Sequence, residues 1–375
     1  MNGREGDGYA VRRLELTDLR IWRRVPLELP RGLVVITGPN GAGKTSLIEA
    51  IVFGCLGVSP RTAREQELVR TGASAVHVRL LLEGPRGVTE REIGFAPGRS
   101  RRLRRDGEPV RSLSDWRARV LLVFLPEELR AVKGPPAARR RALDRVLEAA
   151  DPAFASTLAE YQRATAQRNA LLRRIRSGQA DERALGVWEE AMAHRGAAVA
   201  AARSAGVAAL QPAFARWLRE LGGGADGAVV LEPSPADRPD GDHDALARAL
   251  AQRWQMGRER DIRAAQTLVG PHRDDLWIGR GRVDLRRVGS QGEQRTATLA
   301  LLLAARDHLC ERGPRPILLL DDVLSELDPD RRARLLAALV DGGQTIITSA
   351  DPVDGGRMDT HPSSVISVRE GIVDV

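Results

Sequence analysis

The chain has 375 residues, of which 42% are hydrophobic and 29% are charged, and its formal net charge is +8. Its longest apolar runs are strand-sized and its N-terminus lacks the apolar middle of a signal peptide, which excludes a membrane-spanning protein and predicts a cytoplasmic one. The two cysteines, Cys55 and Cys310, lie far apart and outside any CxxC or Cys/His cluster, so neither a disulfide nor a zinc site is expected.

Residues 1–125 have the pattern of an α/β domain. Residues 11–36 alternate and end in the apolar run GLVVIT, which predicts strands, and residues 46–56 have apolar side chains at helical spacing. Residues 76–95 alternate again, as in a half-exposed sheet. The dipeptide Asp106-Gly107 is typical of a type I′ hairpin turn.

Residues 126–265 are rich in alanine, arginine, leucine and glutamate, which predicts an inserted helical domain. Its expected elements are helices over 138–150, 152–176 and 181–221, then a loop with one short strand over 222–244, then a helix over 244–260. We expect the two long helices, the second of them bent at Pro212, to pair as an antiparallel arm roughly 35–60 Å long.

Residues 266–375 return to the α/β pattern, so the chain is predicted to contain one α/β domain that is split by the insertion. The expected elements are two strands, DLWIG and VDLRRV, a helix over 292–310, the strand ILLLDD, a helix over 331–340, and two closing strands, QTIITSAD and SVISVREGIVDV.

The segment GPNGAGKT matches the phosphate-binding pattern GxxxxGK[ST], with an apolar strand before it and a helix after it. The residues expected to bind the phosphates of ATP are Gly38, Pro39, Asn40, Gly41, Ala42, Gly43, Lys44, Thr45 and Ser46. The Lys44 ammonium should reach the β- and γ-phosphates, and the Thr45 hydroxyl should ligate Mg²⁺. Lysine occurs elsewhere only at position 133, which indicates that position 44 requires a compact ammonium.

Two further motifs fit the same chemistry. Asp321 and Asp322 end an apolar strand; we expect Asp321 to hold Mg²⁺ and Asp322 to act as the base that activates water. Ser290, Gln291 and Gly292 precede a helix, where a hydroxyl and a glycine can bind phosphate, or can simply cap the helix. We predict Lys44, Asp322 and Ser290 as the catalytic residues.

In this order, these motifs resemble the P-loop ATPase head of ABC and SMC proteins, with SQGEQ similar to the ABC signature and Ser325–Asp328 similar to the D-loop. The finer matches resemble the RecF family; they are DLRIWRRVPLELP, residues 124–144 and 259–276, SQGEQRTATLAL and LLLDDVLSELDPDRR. Residues 124–144 and 259–276 discriminate RecF from other families. The chain differs from the family in Asp18, Leu19 and Ile21 near its first strand.

The resemblance implies a weak, DNA-stimulated ATPase of recombinational repair that uses ATP and Mg²⁺. It implies ATP-dependent homodimers, binding to double-stranded and gapped or junction DNA, and work with RecO and RecR to load RecA. The chain has Thr348-Ser349-Ala350 where many ABC ATPases have a switch histidine, and no clear Q-loop glutamine, which suggests slow or partner-dependent hydrolysis.

Three other functions remain open. An ABC transporter ATPase subunit should have a Q-loop glutamine, a switch histidine and no helical arm. A short SMC-like structural DNA tether needs far longer heptad segments. A DNA-binding module without catalysis would not need Lys44, Thr45, Asp321 and Asp322 together.

The arginine runs 99–105 and 139–141 are candidate contacts to DNA phosphates, or they are solvated surface charge. Aromatic residues form only 3% of the chain, so we expect sequence-independent backbone contacts and not base stacking. His272, in GPHRDDL, is expected to be structural and not a metal ligand.

Overall fold

The computed structural model describes residues 8–223, 226–237, 242–325, 327–340, 343–350, 362–369 and 372–374. The chain divides into two compact units, a head unit of Met1–Glu127 with Leu309–Val375 and an arm unit of Glu128–His308. The first boundary lies beside the predicted one at 125/126. The second differs from the predicted boundary at 265/266, because residues 266–308 pack within the arm unit.

The first part of the head unit follows the predicted order of strands and helix. Its elements are β1 Ala10–Leu19, β2 Trp22–Glu28, β3 Leu33–Thr37, α1 Lys44–Leu56, β4 Val76–Gly84, β5 Gly87–Phe95, β6 Arg102–Arg105, β7 Glu108–Pro109, α2 Leu113–Trp116 and β8 Leu121–Phe124. Asp106 and Gly107 join β6 to β7 with φ angles of 50° and 82°, which confirms the predicted hairpin turn.

The arm unit contains most of the helices. Its elements are α3 Arg130–Lys133, α4 Pro136–Ala150, α5 Pro152–Arg176, α6 Leu185–Leu218, β9 Gly227–Glu232, α7 His243–Met256, α8 Arg258–Ala264, β10 Asp275–Arg280, β11 Val283–Asp284, α9 Leu285–Val288 and the start of α10 Gln291–Arg312. The rest of the head unit contains β12 Ile317–Leu320, α11 Pro329–Val340, β13 Thr345–Ser349, β14 Ser364–Arg369 and β15 Ile372–Asp374.

Two predicted elements of the arm unit were wrong in detail. The helix expected over 244–260 is two helices, because α7 ends at Gly257 and α8 begins after it. The strand expected over VDLRRV stops at Asp284, whose side chain accepts the Arg286 amide and so caps the short helix α9.

Helix α1 lies between two sheets of the head unit. One sheet is antiparallel, in the order β2-β1-β4-β5-β6-β7, and the other has the order β15-β14-β3-β13-β12-β8, parallel except for β15. Eleven of the thirteen residues of α1 are buried, which requires cover on both sides. The loop before α1 and the ends of β12 and β13 therefore lie at the same edge of the parallel sheet.

The helices α5 and α6 pair as the predicted antiparallel arm. Glu160 accepts from Arg195 at 2.7 Å and Glu189 accepts from Arg168 at 3.0 Å. A later residue of α5 thus contacts an earlier residue of α6, which shows that the two helices are antiparallel. At 1.5 Å per residue the helices are about 37 Å and 51 Å long. No helix in the described part of the chain is both long and apolar enough to cross a membrane.

Candidate nucleotide site

The loop between β3 and α1 has a backbone that requires glycine. Gly38, Gly41 and Gly43 have φ angles of 150°, 83° and 102°. A Cβ on Gly38 would lie 2.1 Å from the Val368 carbonyl oxygen, and one on Gly43 would lie 2.8 Å from the Trp22 ring. The loop is thus closely packed on two sides. Its N–H groups lie at the N-terminus of the buried helix α1, a position that favours the binding of phosphate oxygens.

Lys44 begins α1 and its side chain bends back over the loop. The Nζ atom donates to the carbonyl oxygens of Gly38 at 2.5 Å and Pro39 at 2.9 Å. Burial lowers the pKa of Lys44, while the charges of Asp322 and Asp321 oppose that shift. The ammonium therefore lies against the phosphate loop and is influenced by both carboxylates, in a site where a triphosphate would need a positive charge.

Thr45, Asp321 and Thr348 form a compact group at the ends of α1, β12 and β13. The Thr45 hydroxyl lies 3.0 and 2.9 Å from the two Asp321 oxygens, and the Thr348 hydroxyl donates to Asp321 Oδ1 at 2.6 Å. Burial is the largest cause that raises the pKa of Asp321, the neighbouring Asp322 charge also raises it, and the two hydrogen bonds act in the opposite direction. A hydroxyl beside a desolvated carboxylate fits a hard divalent cation such as Mg²⁺.

Asp322 occupies a strained position beside Asp321. Its φ angle is 49°, in the left-handed region that non-glycine residues seldom adopt, and its N–H donates to Thr348 Oγ1 at 2.9 Å. The Thr348 hydroxyl thus fixes both carboxylate residues. Thr348 was noted in the sequence only as a substitute for a switch histidine, and its role in the site was missed.

A buried ion pair behind the phosphate loop was also missed. Glu49, on α1, is fully buried and accepts two hydrogen bonds from Arg20, each 2.8 Å long. Ser59 donates to the same carboxylate at 2.5 Å, and Arg61 lies 3.6 Å away. The hydrogen bond to Glu49 raises the pKa of Arg20. A lone glutamate within the apolar run of α1 was the signal available in the sequence.

Trp22, next to that arginine, supports the loop directly. It is 1% exposed and its Nε1–H donates to the Gly43 carbonyl at 3.2 Å. The segment in which the chain departs from the RecF pattern, at Asp18, Leu19 and Ile21, therefore contacts the phosphate loop through Trp22 and α1 through Arg20.

Ser290 lies in the arm unit, whereas Lys44, Thr45, Asp321 and Asp322 lie in the head unit. Ser290 Oγ accepts the Glu293 amide at 3.2 Å, and Glu293 Oε2 accepts the Ser290 amide at 2.8 Å. This is a capping box at the start of α10. Ser290 and Gln291 are both exposed.

The candidate DNA contacts are only partly available. Arg139 is 1% exposed and forms a bidentate pair with Asp275 at 2.7 and 2.6 Å, so its prediction as a phosphate contact was wrong. Arg140 donates to the Asp274 carbonyl, whereas Arg141 is exposed. The physical reason is that α4 packs one side of its arginine run against β10.

In the run 99–105 the exposed arginines alternate on β6. Arg102 and Arg104 are exposed on either side of buried Leu103. Arg101 pairs with Glu65, and Arg105 donates to the Asp115 carbonyl. Arg102 and Arg104 thus project from one face of the strand, as the alternation predicted.

His272 is structural, as predicted. Its Nδ1 atom lies 2.7 Å from the Tyr161 hydroxyl and its Nε2 atom 3.0 Å from the Thr267 carbonyl oxygen. Burial lowers the pKa of His272 to about 4. Within the described ranges, His194, His243 and Asp244 are close enough to share a cation, but they are exposed and both His243 nitrogens already face protein oxygens.

Comparison with known proteins agrees with this architecture. A family model described as an AAA domain matches residues 13–113. The chain is 38% identical over 366 residues to the DNA replication and repair protein RecF of Acidothermus cellulolyticus, covering 94% of this chain and 98% of that protein. A solved structure of the recombination mediator protein RecF-ATP in the RecFOR pathway is 27% identical, with a TM-score of 0.89 over 100% of this chain and 99% of that one.

The fold also extends to SMC proteins. An Smc head bound to the C-terminal winged-helix domain of ScpA superposes with a TM-score of 0.60 at 16% identity, covering 97% of this chain and 96% of that one. The predicted fold class, an α/β P-loop ATPase head of ABC/SMC type with an inserted helical arm, is confirmed.

Proposed function

The chain belongs to the RecF family of DNA replication and repair proteins, and we propose that it is an ATP-dependent DNA-binding protein that dimerises on ATP and hydrolyses it slowly. The observation that supports this most directly is the group of Lys44, Thr45, Asp321 and Thr348 at one edge of the parallel sheet. These residues hold an ammonium, a hydroxyl and a desolvated carboxylate around the place where a triphosphate enters the glycine loop.

In this proposal each residue has one role in hydrolysis. Gly38–Ser46 bind the phosphates, with Lys44 at the β- and γ-phosphates. Thr45 and Asp321 would hold Mg²⁺, which neutralises developing charge on the phosphates when bound. Asp322 accepts a proton from water as the water oxygen bonds to the γ-phosphorus and the bond to the β,γ-bridging oxygen breaks, giving ADP and phosphate.

Dimerisation is inferred from the ABC/SMC-type head that the chain resembles, in which the two phosphate sites face each other across a two-fold interface. The glycine loop covers one side of the triphosphate, and the Ser290-Gln291-Gly292 turn offers a second anion site at a helix N-terminus. We infer that two chains related by a two-fold axis would each present this turn to the other's γ-phosphate. ATP would then close the dimer and hydrolysis would open it.

The DNA partner is inferred from charge and from the family. The net charge of +8 and the exposed Arg102, Arg104 and Arg141 suit a polyanion that is bound through its phosphates. We propose that this chain binds double-stranded DNA and single-strand/double-strand junctions, and works with RecO and RecR to help load RecA. Binding of DNA is expected to stimulate an otherwise weak ATPase.

Two variants test the dimer cycle in opposite directions. Ser290→Arg should leave ATP binding to the monomer nearly intact but abolish ATP-driven dimers, because it overfills the site facing the partner. Asp322→Asn should form dimers that persist, because ATP is held but water is not activated.

Size-exclusion light scattering with and without ATP and Mg²⁺ measures both effects. Dimers of Ser290→Arg with ATP, or dimers of Asp322→Asn that dissociate as fast as wild type, would contradict the proposal. Gel shifts on gapped, tailed and blunt duplexes test the DNA partner. If all three DNA duplexes are shifted equally, the proposed DNA binding is supported but the proposed preference for junctions is wrong.

A further inference from the structure

Glu293 occupies the anion site that the Ser290-Gln291-Gly292 turn, here called the signature turn, would offer to ATP. Its carboxylate accepts the Ser290 N–H at 2.8 Å, and its own N–H donates to Ser290 Oγ at 3.2 Å. The two bonds therefore occupy the backbone N–H groups of Ser290 and Glu293 at the start of a 22-residue helix. These are the groups that an incoming γ-phosphate would need.

The partial positive charge of a helix N-terminus, about half an elementary charge, attracts a side-chain carboxylate and a phosphate alike. A carboxylate already bound there competes with the phosphate for the same donors, and it repels the phosphate's negative charge. Glu293 is part of the chain, so its local concentration is fixed and it competes at every ATP concentration.

Arg280 moderates this competition. Arg280 Nη1 lies 2.9 Å from Glu293 Oε1, the carboxylate oxygen other than the one that accepts from Ser290. The two side chains are 38% and 30% exposed, so the pair can separate without removing a charge from a dry interior. Arg280 is the last residue of β10 and so lies outside the turn. It both neutralises the carboxylate and offers it a second partner.

We propose that Glu293 is a built-in competitor of the γ-phosphate at the signature turn, and that Arg280 sets how strongly it competes. This inference rests on the proposed function, because it requires the Ser290 turn to meet ATP across a dimer. It makes Glu293 and Arg280 positioning residues that set the ATP concentration at which the dimer closes.

The two residues have opposite predicted effects. Glu293→Gln keeps an oxygen that can accept from Ser290 but removes the charge, so it should lower the ATP concentration for half-maximal dimerisation about two- to fivefold. Arg280→Gln removes one positive partner of the Glu293 carboxylate and should raise that concentration by a similar factor. In the double variant the Arg280 effect should disappear, because its target charge is gone.

The experiment titrates Mg²⁺-ATP against dimer formation by light scattering for wild type, both single variants and the double variant. Glu311→Gln is the matched control, because it makes the same change at the far end of α10. Binding of a fluorescent ATP analogue to the monomer should be unchanged in every variant. Thermal midpoints identify any variant that has lost its fold.

The competition is supported if the two single variants shift the ATP concentration for half-maximal dimerisation in opposite directions and the double variant matches Glu293→Gln. If Glu293→Gln weakens dimerisation, or if both single variants shift it in the same direction, Glu293 is only a helix cap and the inference is overturned. An Arg280→Gln effect of full size in the Glu293→Gln background overturns it as well. If wild type forms no dimer with ATP, the proposed dimer cycle fails first and the competition fails with it.

Discussion

The replacement Lys44→Arg should sharply weaken ATP use although the positive charge is kept. Lys44 is 7% exposed, and its Nζ atom is held 2.5 and 2.9 Å from the carbonyl oxygens of Gly38 and Pro39. A planar guanidinium with five donors is larger than this site. The loop is packed closely at Gly38, where an added Cβ would lie 2.1 Å from the Val368 carbonyl oxygen, so it has little room to move away from a larger side chain.

The magnitude follows from the contacts that are lost. A hydrogen bond to a charged group contributes about 1.5–3 kcal/mol, which corresponds to a loss of about 10- to 150-fold for one misplaced phosphate contact. We expect ATP affinity to fall within that range and turnover to fall at least as far, because Lys44 also faces the γ-phosphate. Fluorescent-nucleotide titration and phosphate release measure the two quantities.

Lys133→Arg provides a matched control, because lysine occurs in the chain only at these two positions. Lys133 is exposed at the end of α3 in the arm unit, so its replacement should change neither quantity by more than about twofold. The reasoning is refuted if Lys44→Arg stays within twofold of wild type. It is also refuted if both variants lose activity equally.

Three further outcomes follow from the structure. Trp22→Ala should destabilise the protein by about 3–5 kcal/mol in urea unfolding and weaken ATP binding, whereas Trp22→Phe should cost only about 0.5–1.5 kcal/mol; similar losses in both would contradict the packing role. His272 has a pKa of about 4 when folded and takes up a proton near pH 6.5 when unfolded. The neutral, buried His272 therefore contributes up to about 3 kcal/mol to the free energy of unfolding; this contribution is complete above pH 6.5 and is lost as the pH falls towards 4. His272→Gln should reduce the pH dependence of unfolding in that window, and an unchanged slope would refute the assignment. DNA affinity should fall steeply with salt and be similar on unrelated duplexes, and Arg102→Gln with Arg104→Gln should lower the salt slope by up to about two. Arg79→Gln, whose charge is already paired with Glu90, should alter that slope less, and equal changes would argue against the β6 contact.

Local chemistry explains what could be predicted from the sequence. The turn at Asp106-Gly107 and the helix that begins after Asp151 depend on residues within a few positions of each other. The glycine loop and the acidic end of β12 could be recognised for the same reason, since each pattern lies within one short segment. Parallel strands then bring the two segments to one edge of the sheet.

Contacts between distant segments explain what could not be predicted. The second unit boundary differs because β10 pairs with β9 and Asp275 with Arg139, so residues after 265 remain with the helices. Thr348 became part of the site only through its contact with Asp321, 27 positions away. A run of arginines in the sequence does not show which of them faces a carboxylate, and this is why Arg139 was misassigned.

The two segments that discriminate the RecF family meet inside the arm unit. Arg139 of the first segment pairs with Asp275 of the second. Arg203 donates to the Asp144 carboxylate at 2.8 and 2.9 Å and to the Pro271 carbonyl oxygen at 2.5 Å, and so links the two segments a second time. Removing one partner of such a buried pair typically costs about 3–5 kcal/mol, because the other charge stays buried. These buried pairs therefore help to fix the interior of the arm unit.

The same network extends towards the signature turn. Asp275 also accepts from Arg286 at 3.3 Å on α9, and the Leu285 carbonyl of α9 accepts from Gln294 of α10 at 2.8 Å. Ser290 lies on the short connection between these two helices. Asp275 thus holds α9, and Gln294 ties α10 to α9 across the connection that carries Ser290. Through Arg139 and Asp275, the segments that discriminate the family therefore help to position the residue that is proposed to meet ATP.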